Sequence, residues 1–158
     1  MSAKNIDSFF NYCFEDGLII GCETPWGELG ADRTISFLKE KYNIKHLLTL
    51  TTSYKPYRDE QIERHHIPIK LIPNKEQAEE AITIIESALS KSQPIAIHCM
   101  QGIDRTGCII GCYLVKHGHD PAEVFEQLVN HVWVKHPKDN LRRTLTPSYK
   151  LIYDFVGK

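Results

Sequence analysis

The chain is predicted to fold as an α/β domain with a central, mostly parallel sheet flanked by helices. Three observations predict it. Short apolar runs of strand length, such as Leu18-Ile19-Ile20 and Pro94-Ile95-Ala96-Ile97, alternate with segments whose apolar residues recur at helical spacing. Several of the helical segments open on recognisable capping residues. No repeat or low-complexity stretch breaks the alternation, and 158 residues suit one core, so residues 1–158 are read as a single domain.

Leu18-Ile19-Ile20 is the first strand expected. Asp32 to Tyr42 is helical by the spacing of Ile35, Leu38 and Tyr42. Ile44 to Leu50 reads as a strand through Leu47, Leu48 and Leu50, and His65 to Lys70 as an edge strand interrupted by Pro68. Asn74 with Gln77 forms a capping-box pattern that opens a helix striped by Ala78, Ala81, Ile82, Ile85 and Leu89. Pro94 to Ile97 is a buried strand, and Cys108 to Lys116 a buried helix. Asp120-Pro121-x-Glu123 starts another helix, carrying Val124, Leu128 and Val132. Thr146-Pro147 starts the last, with Leu151, Ile152 and Phe155 inward.

The loop between the buried strand and the buried helix, His98-Cys99-Met100-Gln101-Gly102-Ile103-Asp104-Arg105-Thr106-Gly107, concentrates the chemistry. A helix start offers unpaired N–H groups and about half a positive charge, which suits phosphate. A thiol at such a place, beside cations, titrates at about 3.5–7.5. Cys99 is therefore expected to be a thiolate that attacks phosphorus. Arg105 offers a planar fork matched to two phosphate oxygens. Gly102 lets the loop curl so that the N–H groups of Met100, Gln101, Gly102, Ile103, Asp104 and Arg105 form an anion nest. Thr106 donates to the Cys99 sulfur and eases its departure, while His98 and Gly107 support the loop.

The pattern His98-Cys99-x-x-Gly102-x-x-Arg105-Thr106-Gly107 resembles the phosphate-binding loop of the cysteine-based protein tyrosine phosphatase superfamily, and the compact dual-specificity branch most closely. That resemblance implies a cysteine-dependent hydrolase that removes phosphate from phosphotyrosine and phosphoserine or phosphothreonine, without a cofactor. It also implies a general-acid aspartate ahead of the long helix. Here the segment Ile67-Pro68-Ile69-Lys70-Leu71-Ile72-Pro73-Asn74 has no acid, and the nearest carboxylates are Glu63 and Glu76. A positioned acid is worth roughly 10²–10⁴ in rate. Three explanations stand open: Asp104 serves, as in the similar loops of myotubularin and Sac-type phosphoinositide phosphatases; Glu76 swings in; or the leaving group is a phosphoanhydride that needs no acid. The last is the situation of RNA 5′-triphosphatase domains, whose loop is similar.

A phosphorylated protein is accordingly the first expected partner, with a phosphoinositide or a 5′-triphosphate RNA as alternatives, and a non-catalytic phosphate reader as the non-enzymatic one. A net charge of −1 gives no global attraction to nucleic acid or membranes, so any anion recognition is local. Lys70, Lys75, Lys138, Arg142 and Arg143 are candidate local cations, the last three within the cluster His136 to Arg143. Trp26 and Trp133 are read as packing residues. The five cysteines have no framework spacing, Cys108 and Cys112 are read as core, and the histidines show no metal spacing or carboxylate partners, so no metal is assigned. Apolar runs are too short to span a bilayer, which leaves a monomer in a reducing cytoplasm as the expectation.

Overall fold

The computed structural model describes residues 10–135 and 150–157. Five strands, β1 (Phe10–Phe14), β2 (Ile19–Cys22), β3 (His46–Thr49), β4 (Glu63–His66) and β5 (Ile95–His98), form one sheet in the order β1-β2-β5-β3-β4. Pairings β2–β5, β5–β3 and β3–β4 are parallel, and only β1 runs antiparallel, against β2. Among the described residues, helices α1 (Ala31–Tyr42), α2 (Lys75–Ser90), α3 (Asp104–Lys116) and α4 (Pro121–Lys135) complete the layers. The α/β class with a mostly parallel sheet is the observed one.

Two cores sit on the two faces of the sheet. Ile20, Cys22, Leu47 and Ala96 point to the face covered by Ile35 and Leu38 of α1. Ile19, Leu48, Ile95 and Ile97 point to the other, under α2, α3 and α4. The alternation follows from the period-two geometry of strands. The central strands are buried on both faces, which is why their sequences read as unbroken apolar runs. Helix α3 is the most enclosed, with every residue from Thr106 to Val115 buried.

The helix starts behave as the sequence suggests. Asn74 accepts from the backbone N–H of Gln77 at 2.8 Å, and the Gln77 side chain accepts from Asn74 N at 3.0 Å, a complete capping box. Asp120 Oδ2 accepts from Glu123 N at 3.1 Å at the start of α4. Val124, Leu128 and Val132 are buried as their stripe requires.

Three boundaries differ from expectation. β1 was not anticipated, although Phe10-Asn11-Tyr12-Cys13-Phe14 is rich in aromatics. β4 lies earlier than expected, ending at His66, yet Ile67 N and Ile69 N still donate to Thr49 O and Leu50 O, both at 3.0 Å. Pro68 falls between these two donors, where no N–H is needed. Helix α3 begins at Asp104, so Asp104, Arg105 and Thr106 lie on its first turn and not on a separate loop. The last helical segment reaches Ile152 and tightens into a 3₁₀ turn at Tyr153–Phe155, with Ile152 and Phe155 buried. Its expected start at Thr146-Pro147, the His136–Arg143 cluster and the Trp133 side chain lie outside the described residues.

Candidate active site

Parallel strands bring their C-terminal ends to one edge, and β5 delivers His98 and Cys99 there. Cys99 is 3% exposed, at the floor of the turn from β5 into α3. Thr106, one helical turn along and fully buried, donates its hydroxyl to Cys99 Sγ at 3.2 Å. The structure thus brings the candidate nucleophile and its candidate helper within hydrogen-bonding distance.

The loop's outer surface is held by groups from β1 and from the segment that follows β2. Asn11 Nδ2 donates to Gln101 O at 2.7 Å and to Gly102 O at 3.1 Å. Tyr12 Oη donates to Ile103 O at 3.0 Å, and Thr24 N to Met100 O at 3.1 Å. Four consecutive carbonyls, Met100 to Ile103, therefore point outward to protein donors. In a trans peptide the N–H points away from its C=O. The N–H groups of Gln101, Gly102, Ile103 and Asp104 consequently turn to the inner side. These four are among the six N–H groups expected to form an anion nest, and the carbonyls have an external scaffold that the sequence reading missed.

Glycines make the curl possible. Gly102 has φ +72°, and a Cβ there would lie 2.2 Å from Cys22 O at the end of β2. A Cβ on Gly107 would lie 2.6 Å from Tyr12 Oη, so Gly107 clears room for the hydroxyl that supports Ile103.

His98 is a structural support. Arg64 Nη2 donates to Thr49 Oγ1 at 3.2 Å, and Thr49 Oγ1 lies 2.8 Å from His98 Nε2. His98 Nδ1 in turn faces Cys99 O at 3.2 Å. A carbonyl accepts only, so Nδ1 carries the proton, and Nε2 takes the Thr49 hydroxyl. Burial, with Arg64, Arg105 and His66 nearby, pulls the His98 pKa down to about 4, against the Cys99 carbonyl that raises it. The ring is neutral at physiological pH. Thr49 and Arg64, like Asn11 and Tyr12, were not singled out from sequence; nothing local marks them, because they act across strands.

Arg105 is half-buried and donates through Nη1 to Ile69 O at 2.8 Å. This ties the first turn of α3 to the Ile67–Asn74 connection. Five donors sit on a guanidinium, so this bond engages one corner of the fork. Asp104 opens α3 and lies close enough to Tyr12 to raise its hydroxyl pKa, second to the effect of burial. Glu76 is exposed on the first turn of α2. Glu63 stands at the start of β4, level with His46 and Ile95, at the end of the sheet away from Cys99. The expectation that the histidines lack carboxylate partners is corrected: His117 Nε2 is 2.9 Å from Glu86 Oε2, and His46 Nδ1 is 3.4 Å from Glu63 Oε2.

The rim is mixed. Met100 is 59% exposed, and Leu71 and Ile72 are 75% and 49% exposed on the connection that Arg105 grips. Lys70 and Lys75 are exposed on the same stretch, while Lys138, Arg142 and Arg143 lie outside the described residues. Trp26 packs as expected: its ring is 5.7 Å from that of His98 and 4.8 Å from the Arg64 guanidinium. Cys22, Cys108 and Cys112 are buried, and burial, with Cys99 adjacent, pushes the Cys22 thiol well up.

Comparison with known proteins agrees with this geometry. A family model described as "Polymorphic toxin system, DSP-PTPase phosphatase" matches residues 20–119, from β2 through the end of α3. A 28-residue segment is 57% identical to the dual specificity protein phosphatase CDC14AB of Danio rerio; it makes up 18% of this chain and 5% of that protein. The fold is similar to the crystal structure of DUSP15 (TM-score 0.67, 17% identity, 92% of this chain and 94% of that one). It is also similar to the Siw14 catalytic core (0.64, 23%, 90% and 83%) and to PTPMT1 in complex with PI(5)P (0.61, 12%, 88% and 94%). No described helix is long and apolar enough to cross a membrane. The chain belongs to the DSP-PTPase phosphatases of polymorphic toxin systems, within the cysteine-based protein tyrosine phosphatase superfamily.

Proposed function

We propose that the chain, acting as a single domain, hydrolyses phosphate monoesters on proteins through a cysteinyl-phosphate intermediate at Cys99. The observation that carries this reading is the 3.2 Å hydrogen bond from Thr106 to the Cys99 sulfur. In the first half-reaction the Cys99 thiolate forms an S–P bond as the P–O bond to the leaving group breaks. Asp104 gives that oxygen its proton. In the second, water attacks phosphorus, Asp104 takes the water proton, and the S–P bond breaks as Thr106 stabilises the departing thiolate. The nest from Met100 to Arg105 and the Arg105 fork bear the three phosphoryl oxygens throughout.

Two observations support Asp104 as the acid. The connection from Ile67 to Asn74 has no carboxylate, and of the nearest carboxylates Glu63 is at the end of the sheet away from Cys99 while Glu76 is exposed on α2. Exposed Met100, Leu71 and Ile72 support a peptide substrate, whose flanking side chains need apolar contact. A second reading is a phosphoinositide, supported by the Asp before Arg105, or an inositol pyrophosphate, an anhydride that suits the acid-free connection from Ile67 to Asn74. Siw14 is described as a PP-IP phosphatase, and PTPMT1 was solved with PI(5)P.

Phosphate release by wild type, Asp104→Asn and Cys99→Ser tests these together, on phosphotyrosine and phosphothreonine peptides, soluble phosphoinositides, an inositol pyrophosphate and a 5′-triphosphate RNA. The proposal expects peptide turnover that falls on the order of 10²-fold in Asp104→Asn and vanishes in Cys99→Ser. Turnover confined to anhydrides and indifferent to Asp104→Asn contradicts both the acid and the protein substrate.

A further inference from the structure

At the end of the sheet away from Cys99, where β3 and β4 start, three side chains converge that the phosphatase chemistry does not use. Glu63 and His65 are two apart on β4 and so share a face. His46 pairs with Glu63 across the parallel β3–β4 ladder and projects from that same face. His46 Nδ1 lies 3.1 Å from His65 Nε2 and 3.4 Å from Glu63 Oε2, and the three atoms fall within 4.8 Å of one another. Among the described residues this is the one such group of three.

The outer contacts set the protonation. His46 Nε2 lies 2.7 Å from Gln93 Oε1, an acceptor, so Nε2 carries the proton and Nδ1 presents a lone pair inward. His46 is buried and its ring is stacked on that of His65 at 5.3 Å. Gln93 thus plays the part that a carbonyl usually takes behind a metal-binding imidazole, fixing tautomer and ring orientation.

The spacing is that of a coordination sphere. Two ligands about 2.0–2.1 Å from zinc and tetrahedrally disposed are about 3.3 Å apart, which matches 3.1 and 3.4 Å. We propose that His46 Nδ1, His65 Nε2 and Glu63 Oε2 bind a divalent ion of the zinc class, Gln93 orienting His46. His65 then holds its proton on Nδ1, freeing Nε2 for the metal. Two imidazoles and one carboxylate suit zinc and its borderline neighbours, not magnesium or calcium, which require oxygen donors. The ion would fasten the exposed edge strand β4 to β3. This inference does not depend on the phosphatase reading.

The test uses the full chain with Cys13→Ser and Cys99→Ser, removing the exposed thiol and the pocket thiol as competing zinc ligands. Calorimetric titration with ZnCl₂ near neutral pH should show one ion per chain, and the thermal midpoint should rise with zinc and not with MgCl₂. Gln93→Ala should weaken binding about 10–100-fold. Glu63→Gln and His65→Ala together should abolish it; Glu63→Gln alone, at an exposed side chain, keeps the fold and still loses affinity. Absence of zinc binding, or binding that persists in the Glu63→Gln/His65→Ala variant, overturns the proposal.

Discussion

Replacing Asn11 by Ala tests whether the phosphate loop is held from outside. The Asn11 amide spans two successive carbonyls, Gln101 O at 2.7 Å and Gly102 O at 3.1 Å. The bond to Gly102 is buried, so losing it strands an acceptor at about 1–3 kcal/mol, whereas Gln101 is exposed enough for water to take over part of the loss. The sum is about 3 kcal/mol of stability. Asn11→Asp should be worse at the same size, because its oxygens would face both carbonyls. Once the carbonyls are freed, the inner N–H groups lose their alignment, and misplacement by about 1 Å costs on the order of 10² in rate. Urea unfolding followed by tryptophan fluorescence measures the first effect, and kcat on a phosphotyrosine peptide the second. A variant within about 0.5 kcal/mol of wild type with unchanged kcat refutes the scaffold argument.

Two further outcomes are expected. Thr106→Val removes the donor to Cys99 Sγ while keeping volume, so breakdown of the intermediate should slow more than its formation, and a pre-steady-state burst should become visible where wild type shows a smaller one. His98 is held neutral in the fold with its pKa lowered to about 4, against 6.5 when unfolded. The unfolded chain then binds more protons between those values, so stability is full above about pH 6.5 and falls as pH drops toward 4, by about 3 kcal/mol in all. Urea midpoints at several pH values check this, and His98→Asn should flatten that part of the profile; an equally steep loss in His98→Asn places the cause elsewhere.

The legible parts of the sequence were those whose signal is local. The capping box at Asn74 and Gln77, the striped helices and the apolar central strands each declare themselves within a few residues. So does the loop, since Cys99, Gly102, Arg105 and Thr106 act within one turn of chain. What escaped was long-range. β1 is an edge strand whose alternation is broken by a register shift between Phe10 and Tyr12, and its Asn11 and Tyr12 serve a loop some 90 residues away. Thr49 and Arg64 reach His98 only because β3 lies beside β5 and β4 beside β3. The histidines were read as lacking metal spacing and carboxylate partners; Glu63 stands two residues before His65, and the parallel register of β3 and β4 brings the distant His46 to them.

Trapping the intermediate tests the central claim most directly. Thr106→Val, mixed with a phosphotyrosine peptide and quenched in acid during turnover, should carry one phosphoryl group on the peptide containing Cys99, and Cys99→Ser should carry none. Phosphate release by Cys99→Ser at the wild-type rate, or a phosphoryl group on any residue other than Cys99, would contradict the account.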